Sequence, residues 1–241
     1  MTTAGSAGAF AGDGASADGT EQYALPLVVR AERASPPGRT DALECAARAV
    51  LTLLSDPRSA GDGEWAAAIR AWEDARIRKV VRRARGAAWE RASALPGITV
   101  THRTAEVRAF PPVPTGDWPP DLARLQVAGT DFTDPEPPRP PSPGIPVLWI
   151  TPEIVMTAGK AMAQAGHAAQ LAWWKLSPAA RWEWQQSDFD LAVRTATPDQ
   201  WAKLLVSGLP LVQDGGFTEV APGSKTVVAD LASLRREVPL S

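Results

Sequence analysis

We predict the fold first from residues 145–174, which read IPVLWITPEIVMTAGKAMAQAGHAAQLAWW. The apolar run PVLWI is typical of a buried strand, and a proline-containing loop follows. Thr157 then offers an N-cap for an alanine-rich helix that we predict from about Ala158 to Lys175. A buried strand that leads through a short loop into a long helix indicates an α/β layer.

The same layout occurs near the amino terminus, in LPLVVRAERASPPGRTDALECAARAVLTLL, residues 25–54. Further along, residues 79–110 parallel residues 191–222. With one gap, the alignment pairs Gly38-Arg39 with Gly159-Lys160, Ala46 with His167, Trp89 with Trp201, Thr101 with Asp214, Ala105 with Thr218, and Glu106-Val107 with Glu219-Val220. We interpret this pattern as an internal duplication in which the first copy has kept the frame and lost the polar groups.

The rest of the second half supports the α/β prediction. FDLAVRTA is typical of a second strand, and Pro198 suits the first turn of a helix through about Ser207. LPLVQ and KTVVADL predict a third and a fourth strand, with a turn at Gly215-Gly216. Because helices separate these strands, part of the sheet is expected to be parallel.

Composition limits the classes of protein that fit. The 241 residues are 44% hydrophobic, which is enough for a core, and no apolar run reaches the length of a membrane span. The amino terminus lacks the basic start of a secretory signal, so a cytoplasmic location is expected. With only Cys45, His102 and His167 available, neither a disulfide nor a Cys/His zinc site is expected, although a carboxylate-bound cation stays open.

The domain prediction follows from composition as well. Residues 1–20 combine small residues with scattered acids, which predicts a flexible tail. Residues 21–113 form the first copy, a proline-rich linker covers 114–143, and residues 144–241 form the second copy. We predict that the linker runs extended over the surface with one short strand or helical turn inside it.

A basic run, RIRKVVRRAR, lies in the first copy at residues 76–85. It predicts a phosphate-binding surface, with Arg78, Lys79, Arg82 and Arg83 as the contacts. The alternative is a solvated basic face that pairs with nearby acids such as Glu73 and Glu90.

Two segments carry candidate chemistry. On the predicted helix, Lys160, Gln164 and His167 lie within roughly 60° of one another, so they share one face. Farther on, two glycines separate Asp214 from Thr218, which allows a tight turn to bring carboxylate and hydroxyl together. Taken separately, the helix face could serve solubility, His167 could serve packing, and the Asp-Gly turn could be an ordinary hairpin.

Together, GKAMAQAGHAA and LPLVQDGGFTEVAPGSKTV resemble the peptidyl-tRNA hydrolase 2 family. Its motifs are Gly-Lys-x-x-x-Gln-x-x-His-Ala and Gln-Asp-x-Gly-x-Thr-x-Val/Ile-x-x-Gly-Ser-x-Thr, and the match covers residues 145–230. The resemblance implies mixed four-stranded sheets flanked by helices. It also implies hydrolysis of the ester between a peptide and the 3′ ribose of tRNA, without a metal or cofactor.

Matched position by position, the resemblance assigns catalysis to Lys160, His167, Asp214 and Thr218. It assigns substrate binding to Gln164, Gln213, Gly215, Ser224 and Lys225. In this interpretation Asp214 holds and deprotonates the water, and Lys160 stabilises the oxyanion or a tRNA phosphate.

The chain departs from the family in two ways. Val155 and Ala158 stand where many relatives carry lysines in the loop before the helix. The first copy also follows the same frame, so we predict that the two α/β units pack as a pseudo-dimer within one monomeric chain. The basic run of the first copy then compensates for the missing lysines.

Two other classes of function remain open from the sequence. One is a tRNA-dependent transferase, in which an amine replaces water as the acceptor of the aminoacyl or peptidyl group. The other is a non-catalytic RNA- or nucleotide-binding module, which predicts that Lys160, His167, Asp214 and Thr218 do not converge.

Overall fold

The computed structural model describes residues 21–216 and 219–235, and two mixed sheets organise them. The predicted tail, residues 1–20, and Thr218 lie outside the described residues.

The first sheet has the order β2-β1-β4-β3, with β5 paired to β1. Its strands are β1 (Tyr23–Arg30), β2 (Lys79–Ala84), β3 (Ile98–His102), β4 (Ala105–Ala109) and β5 (Val113–Pro114). The pair β1–β2 is parallel, and the pairs β1–β4 and β3–β4 are antiparallel.

The second sheet has the order β7-β6-β9-β8. Its strands are β6 (Val147–Ile150), β7 (Ala192–Thr195), β8 (Leu211–Gln213) and β9 (Lys225–Asp230). The pair β6–β7 is parallel, whereas β6–β9 and β8–β9 are antiparallel. Both sheets therefore share one order and one pattern of strand direction, and the prediction of an α/β fold is confirmed.

The strand registers correct the last part of the sequence alignment. Val107 of β4 pairs with Val29 and with Val100, and Val227 of β9 pairs with Ile150 and with Val212. Val107 thus occupies the place of Val227, not of Val220. The alignment failed here because Arg103 and Thr104 alone join β3 to β4, whereas residues 214–224 join β8 to β9. Thr101 and Ala105 are consequently not the counterparts of Asp214 and Thr218.

Two long helices, α1 (Arg39–Ser55) and α5 (Ala158–Lys175), lie side by side between the sheets. Helix α1 packs on β3 and β4, helix α5 packs on β8 and β9, and each also reaches the edge strand of the other sheet. Small residues permit this close contact: a Cβ on Gly166 would lie 3.0 Å from Val50 Cγ2. One hydrophobic core contains buried residues from both halves.

The observed α5 has the predicted bounds, and Thr157 caps it by accepting a hydrogen bond from the Lys160 amide. Helix α7 (Pro198–Leu205) also begins where predicted, with Thr197 and Gln200 forming a reciprocal capping box. The remaining helices are α2 (Ala66–Asp74), α3 (Ala87–Ser93), α4 (Pro120–Ala123), α6 (Pro178–Gln186) and α8 (Ala232–Arg235), and a short 3-10 turn covers Pro57–Ser59.

The proline-rich segment 114–143 contains the expected helical turn, α4, and it contacts both halves. The Thr130 hydroxyl accepts a hydrogen bond from the Gly159 amide at 3.1 Å, and Asp134 accepts from the amide and hydroxyl of Thr40. The segment thus binds the amino ends of α1 and α5. Within the described ranges, no helix is both long and apolar enough to cross a membrane.

Candidate functional site

The Asp214 carboxylate is the centre of the candidate site. The ammonium of Lys160 donates to Asp214 Oδ2 at 2.5 Å, and the Gln164 amide donates to the same oxygen at 2.8 Å. Helix α5 supplies both donors from one face, because its third and seventh residues are four apart. Asp214 follows β8, so two separate sequence motifs meet at one carboxylate that is 7% exposed.

The chain around Asp214 fixes the orientation of its side chain. The Asp214 amide donates to the Ser224 carbonyl at 2.8 Å, and the Gly223 amide donates to the Asp214 carbonyl at 2.7 Å, which closes the base of the loop. Inside the loop, the Gly216 amide donates to Asp214 Oδ1 at 2.8 Å. Gly216 has a φ of 77°, a value that favours glycine. Oδ1 of Asp214 therefore accepts a hydrogen bond within the loop, and Oδ2 accepts hydrogen bonds from α5.

A buried threonine completes the arrangement. Thr226 of β9 is fully buried, and its hydroxyl donates to Gln164 Oε1 at 2.6 Å. This bond fixes which end of the Gln164 amide faces Asp214. The sequence interpretation did not assign a role to Thr226, although it stands at the last position of the Gly-Ser-x-Thr motif.

The other substrate-binding candidates lie at the edge of the site. Gln213, Gly215 and Lys225 are exposed, and the main-chain carbonyl of Ser224 is engaged in closing the loop. A cavity of about 310 Å³ opens at the amino end of α5, where Arg39, Phe132 and Glu219 are among the lining residues. Glu219 accepts hydrogen bonds from the amide and hydroxyl of Thr157. The cavity adjoins the turn of helix that carries Lys160.

His167 lies apart from the Asp214 contacts. Its Nδ1 is 3.3 Å from the Nζ of Lys79, and this lysine also donates to Gln170 Oε1 at 2.5 Å. Burial first, and then the nearby Lys79 and Lys160, lower the pKa of His167 well below its ordinary value. The structure thus brings Lys160, Gln164 and Asp214 together and places His167 at the contact between α5 and β2.

The basic run mainly serves contacts within the protein. Lys79 is 7% exposed and its ammonium faces the interior, which does not fit the predicted phosphate contact. Arg82 donates to the carbonyls of residues 123 and 125, and Arg83 donates to the carbonyl of residue 128. Those two side chains hold the proline-rich segment against β2, while Arg78 is partly exposed.

The first half has a related but different set of groups. Asp41 is the third residue of α1, as Lys160 is the third residue of α5. Its Oδ1 lies 3.7 Å from Nη1 of Arg103. The order of charges is thus reversed relative to Lys160 and Asp214. Cys45 takes the position of Gln164, and its thiol donates to the Val100 carbonyl at 3.1 Å. Burial raises the pKa of Cys45 to about 12, so this thiol is not a nucleophile at neutral pH.

The first half thus lacks the lysine, glutamine and histidine of α5 at the corresponding helix positions, but it has other polar groups. It carries Asp41, Glu44, His102 and Thr104 on the corresponding face. The alignment paired Ala46 with His167, whereas counting from the two helix starts pairs Arg48 with His167. The two-residue difference came from the longer loop before α1.

Comparison of the chain with models of known protein families and with curated proteins gives no match. The resemblance to the peptidyl-tRNA hydrolase 2 family therefore depends on the motif residues and their geometry alone.

Proposed function

We propose that this chain is a peptidyl-tRNA hydrolase, and that its second half carries the active site. The observation that supports this most is the meeting of Lys160 and Gln164 with one oxygen of Asp214. Of the four residues whose meeting separates an active site from a binding module, Lys160 and Asp214 meet, His167 lies apart against Lys79, and Thr218 lies outside the described residues. A candidate base that is hydrogen-bonded to orienting groups is one of the features by which acid–base sites are recognised.

In the proposed reaction, Asp214 accepts a hydrogen bond from a water molecule and takes its proton as the oxygen attacks the ester carbonyl carbon. Negative charge then develops on the carbonyl oxygen, and the Lys160 ammonium stabilises it. When the tetrahedral intermediate collapses, the bond to the ribose oxygen breaks and the proton passes to that oxygen. The products are a free peptide carboxylate and tRNA with an intact 3′ end.

The substrate is proposed to approach from the amino end of α5. The cavity lined by Thr157, Ala158 and Glu219 lies at this end, two residues before Lys160 in the chain, and we place the 3′ end of the tRNA there. Arg39 of the first half lines the same cavity, so both halves contribute to its walls. Thr218 lies outside the described residues, so its proposed catalytic role depends on the sequence motif alone.

The pseudo-dimer is part of the same proposal. Three features support it: the shared strand order, the pairing of α1 with α5, and reciprocal polar contacts between the halves. Glu44 of α1 bonds to β7 of the second sheet, and Gln170 of α5 bonds to β2 of the first. In this arrangement one chain supplies both units, and it functions as a monomer.

Release of the blocked amino acid from N-blocked aminoacyl-tRNA tests the proposal. We expect turnover by the intact protein, and a loss of about 100- to 10,000-fold in Asp214→Asn, because the variant has no carboxylate to accept the proton. Asp199→Asn, which changes an exposed aspartate on α7, is the matched control and should retain full activity. Aminoacyl-tRNA with a free amine should remain intact.

Equal release by Asp214→Asn and the intact protein would contradict the assignment of the site. Binding of tRNA without release would contradict hydrolysis and favour an amine acceptor or a binding role.

A further inference from the structure

The first half places three metal-ligating side chains at one point, on the face that corresponds to the Lys160 and Asp214 site. They are Asp41 and Glu44 of α1 and His102 at the end of β3, with one ligand atom of each within 4.8 Å of the others. His102 Nε2 lies 3.0 Å from Glu44 Oε2. Because 58 residues separate His102 from Glu44, no sequence spacing indicated this cluster.

In Asp41 and in Glu44, one oxygen of the carboxylate accepts hydrogen bonds from neighbouring groups of the protein. Asp41 Oδ2 accepts a hydrogen bond from the Thr104 hydroxyl at 2.6 Å. Glu44 Oε1 accepts from Arg194 at 2.7 Å and from the Val193 amide at 3.1 Å. The second oxygen of Glu44 faces His102, and the second oxygen of Asp41 is approached by the exposed Arg103 guanidinium at 3.7 Å. Bonds of this kind orient ligands around metal ions.

We propose that Asp41, Glu44 and His102 bind a divalent transition-metal ion such as Mn²⁺, Fe²⁺, Co²⁺ or Zn²⁺. An imidazole beside two carboxylates favours these ions over Mg²⁺ and Ca²⁺, which prefer oxygen ligands alone. Metal–ligand bonds of about 2.0–2.2 Å put ligand atoms roughly 3–4 Å apart. The separation of 3.0 Å between His102 and Glu44 already fits, and the set of three, whose ligand atoms lie within 4.8 Å of one another, would have to contract around the ion.

Charge and access are consistent with such an ion. The Arg194 guanidinium compensates the charge of Glu44, and the exposed Arg103 guanidinium, 3.7 Å from Asp41, would move aside when an ion binds. The Glu44 side chain is 2% exposed, whereas those of Asp41 and His102 are each 16% exposed, so an ion and its waters can enter past them. Binding requires the His102 tautomer with its proton on Nδ1, which leaves the Nε2 lone pair for the metal.

The ion is expected to stabilise the junction between the halves. It would join α1 to β3, and Glu44 already bonds to β7 of the second sheet. An ion that binds only the folded chain raises the free energy of unfolding. This role is separate from the proposed hydrolysis, which uses the second half.

Titration of the metal-free full-length chain with Co²⁺ and Zn²⁺, followed by calorimetry, tests the proposal. The chain has only two histidines, so imidazole NMR signals report the site directly. We expect one ion per chain and, in the NMR spectra recorded with diamagnetic Zn²⁺, a shift of the His102 signals and unchanged His167 signals. Asp41→Asn and His102→Gln should each weaken binding by at least about tenfold, since even groups that only orient a ligand contribute that much.

Matched controls are His167→Gln, for the other histidine, and Asp121→Asn, for an aspartate in an exposed ion pair. Both should bind the ion as the intact protein does. The proposal is overturned if no ion binds at millimolar concentration, or if Asp41→Asn and His102→Gln bind it unchanged while circular dichroism shows them folded. A shift of the His167 signals alone would overturn it as well. If either variant is unfolded, the His102 and His167 signals of the intact protein decide whether the ion binds at His102.

Discussion

At the scale of single residues, Asp214 shows how hydrogen bonds hold a buried carboxylate in one orientation. Three donors surround it: the Lys160 ammonium, the Gln164 amide and the Gly216 main-chain amide. A buried ion pair stabilises a fold only when hydrogen bonds satisfy its remaining polar atoms, and here both oxygens of Asp214 accept hydrogen bonds. Lys160 and Gln164 hold Oδ2 towards α5, whereas the Gly216 amide holds Oδ1 in the loop.

A double-mutant cycle measures how strongly this pair is coupled. We expect Lys160→Met and Asp214→Asn to show a coupling free energy of about 1–3 kcal/mol in urea unfolding, because the two groups are in contact and shielded from water. The exposed pair Arg91 and Asp121 provides the control cycle, with an expected coupling below about 1 kcal/mol. Equal coupling in both cycles would show that the buried contact does not form in solution.

At the scale of elements, α5 carries two different sets of contacts at its two ends. Its first turns bond to Asp214, and farther along His167 and Gln170 contact Lys79 of β2. Among the described residues the Gln170 Nε2 atom has no hydrogen-bond partner, and burial lowers the pKa of Lys79 well below its ordinary value. This contact between the halves therefore contains polar groups that burial does not favour.

The free energy of unfolding should depend on pH through His167. Burial, with the nearby lysines, lowers the pKa of His167 in the folded chain, so below pH about 6.5 the unfolded chain binds a proton that the folded chain does not. Stability is thus lost as pH falls. Between pH 7 and 5 we expect the intact protein to lose about 1–2 kcal/mol more than His167→Gln in urea unfolding. An identical loss in both proteins would contradict the buried neutral state.

Local signals in the sequence predicted the elements of the second half well. The Thr157 cap, the alanine-rich run and Pro198 fixed the starts of α5 and α7, because capping and proline geometry act over a few residues. The sequence alignment misplaced β4, the counterpart of β9, because hydrophobic periodicity does not fix the length of the loop between β3 and β4. That error in register also hid Asp41, Glu44 and His102, whose meeting depends on how α1 packs across β3.

At the scale of the whole molecule, the two halves share one core and exchange polar contacts. Glu44 of α1 is one of these links, since its carboxylate bonds to Arg194 and to the Val193 amide of the other half. Burial alone would raise the pKa of Glu44, but its bonds to His102, Arg194 and Val193 lower it overall. We therefore expect the described halves to unfold together in one transition.

Arg194→Met tests this link. It leaves the Glu44 carboxylate buried without its guanidinium partner, so we expect the free energy of unfolding to fall by about 3 kcal/mol in buffer that contains a chelator. Arg30→Met is the matched control, because Arg30 pairs with Glu106 within the first half and is more exposed. Its expected effect is below about 1 kcal/mol. A similar small effect for both variants would show that the link between the halves contributes little.

The proposed hydrolysis requires that water attack the ester of peptidyl-tRNA at Asp214. The most direct test is turnover of N-blocked aminoacyl-tRNA in water enriched in oxygen-18, with mass spectrometry of the released N-blocked amino acid. We expect one heavy oxygen in the new carboxylate, formed at a rate that Asp214→Asn does not reach. Absence of release, or release of a product joined to an amine instead of carrying the heavy oxygen, would contradict the proposed hydrolysis.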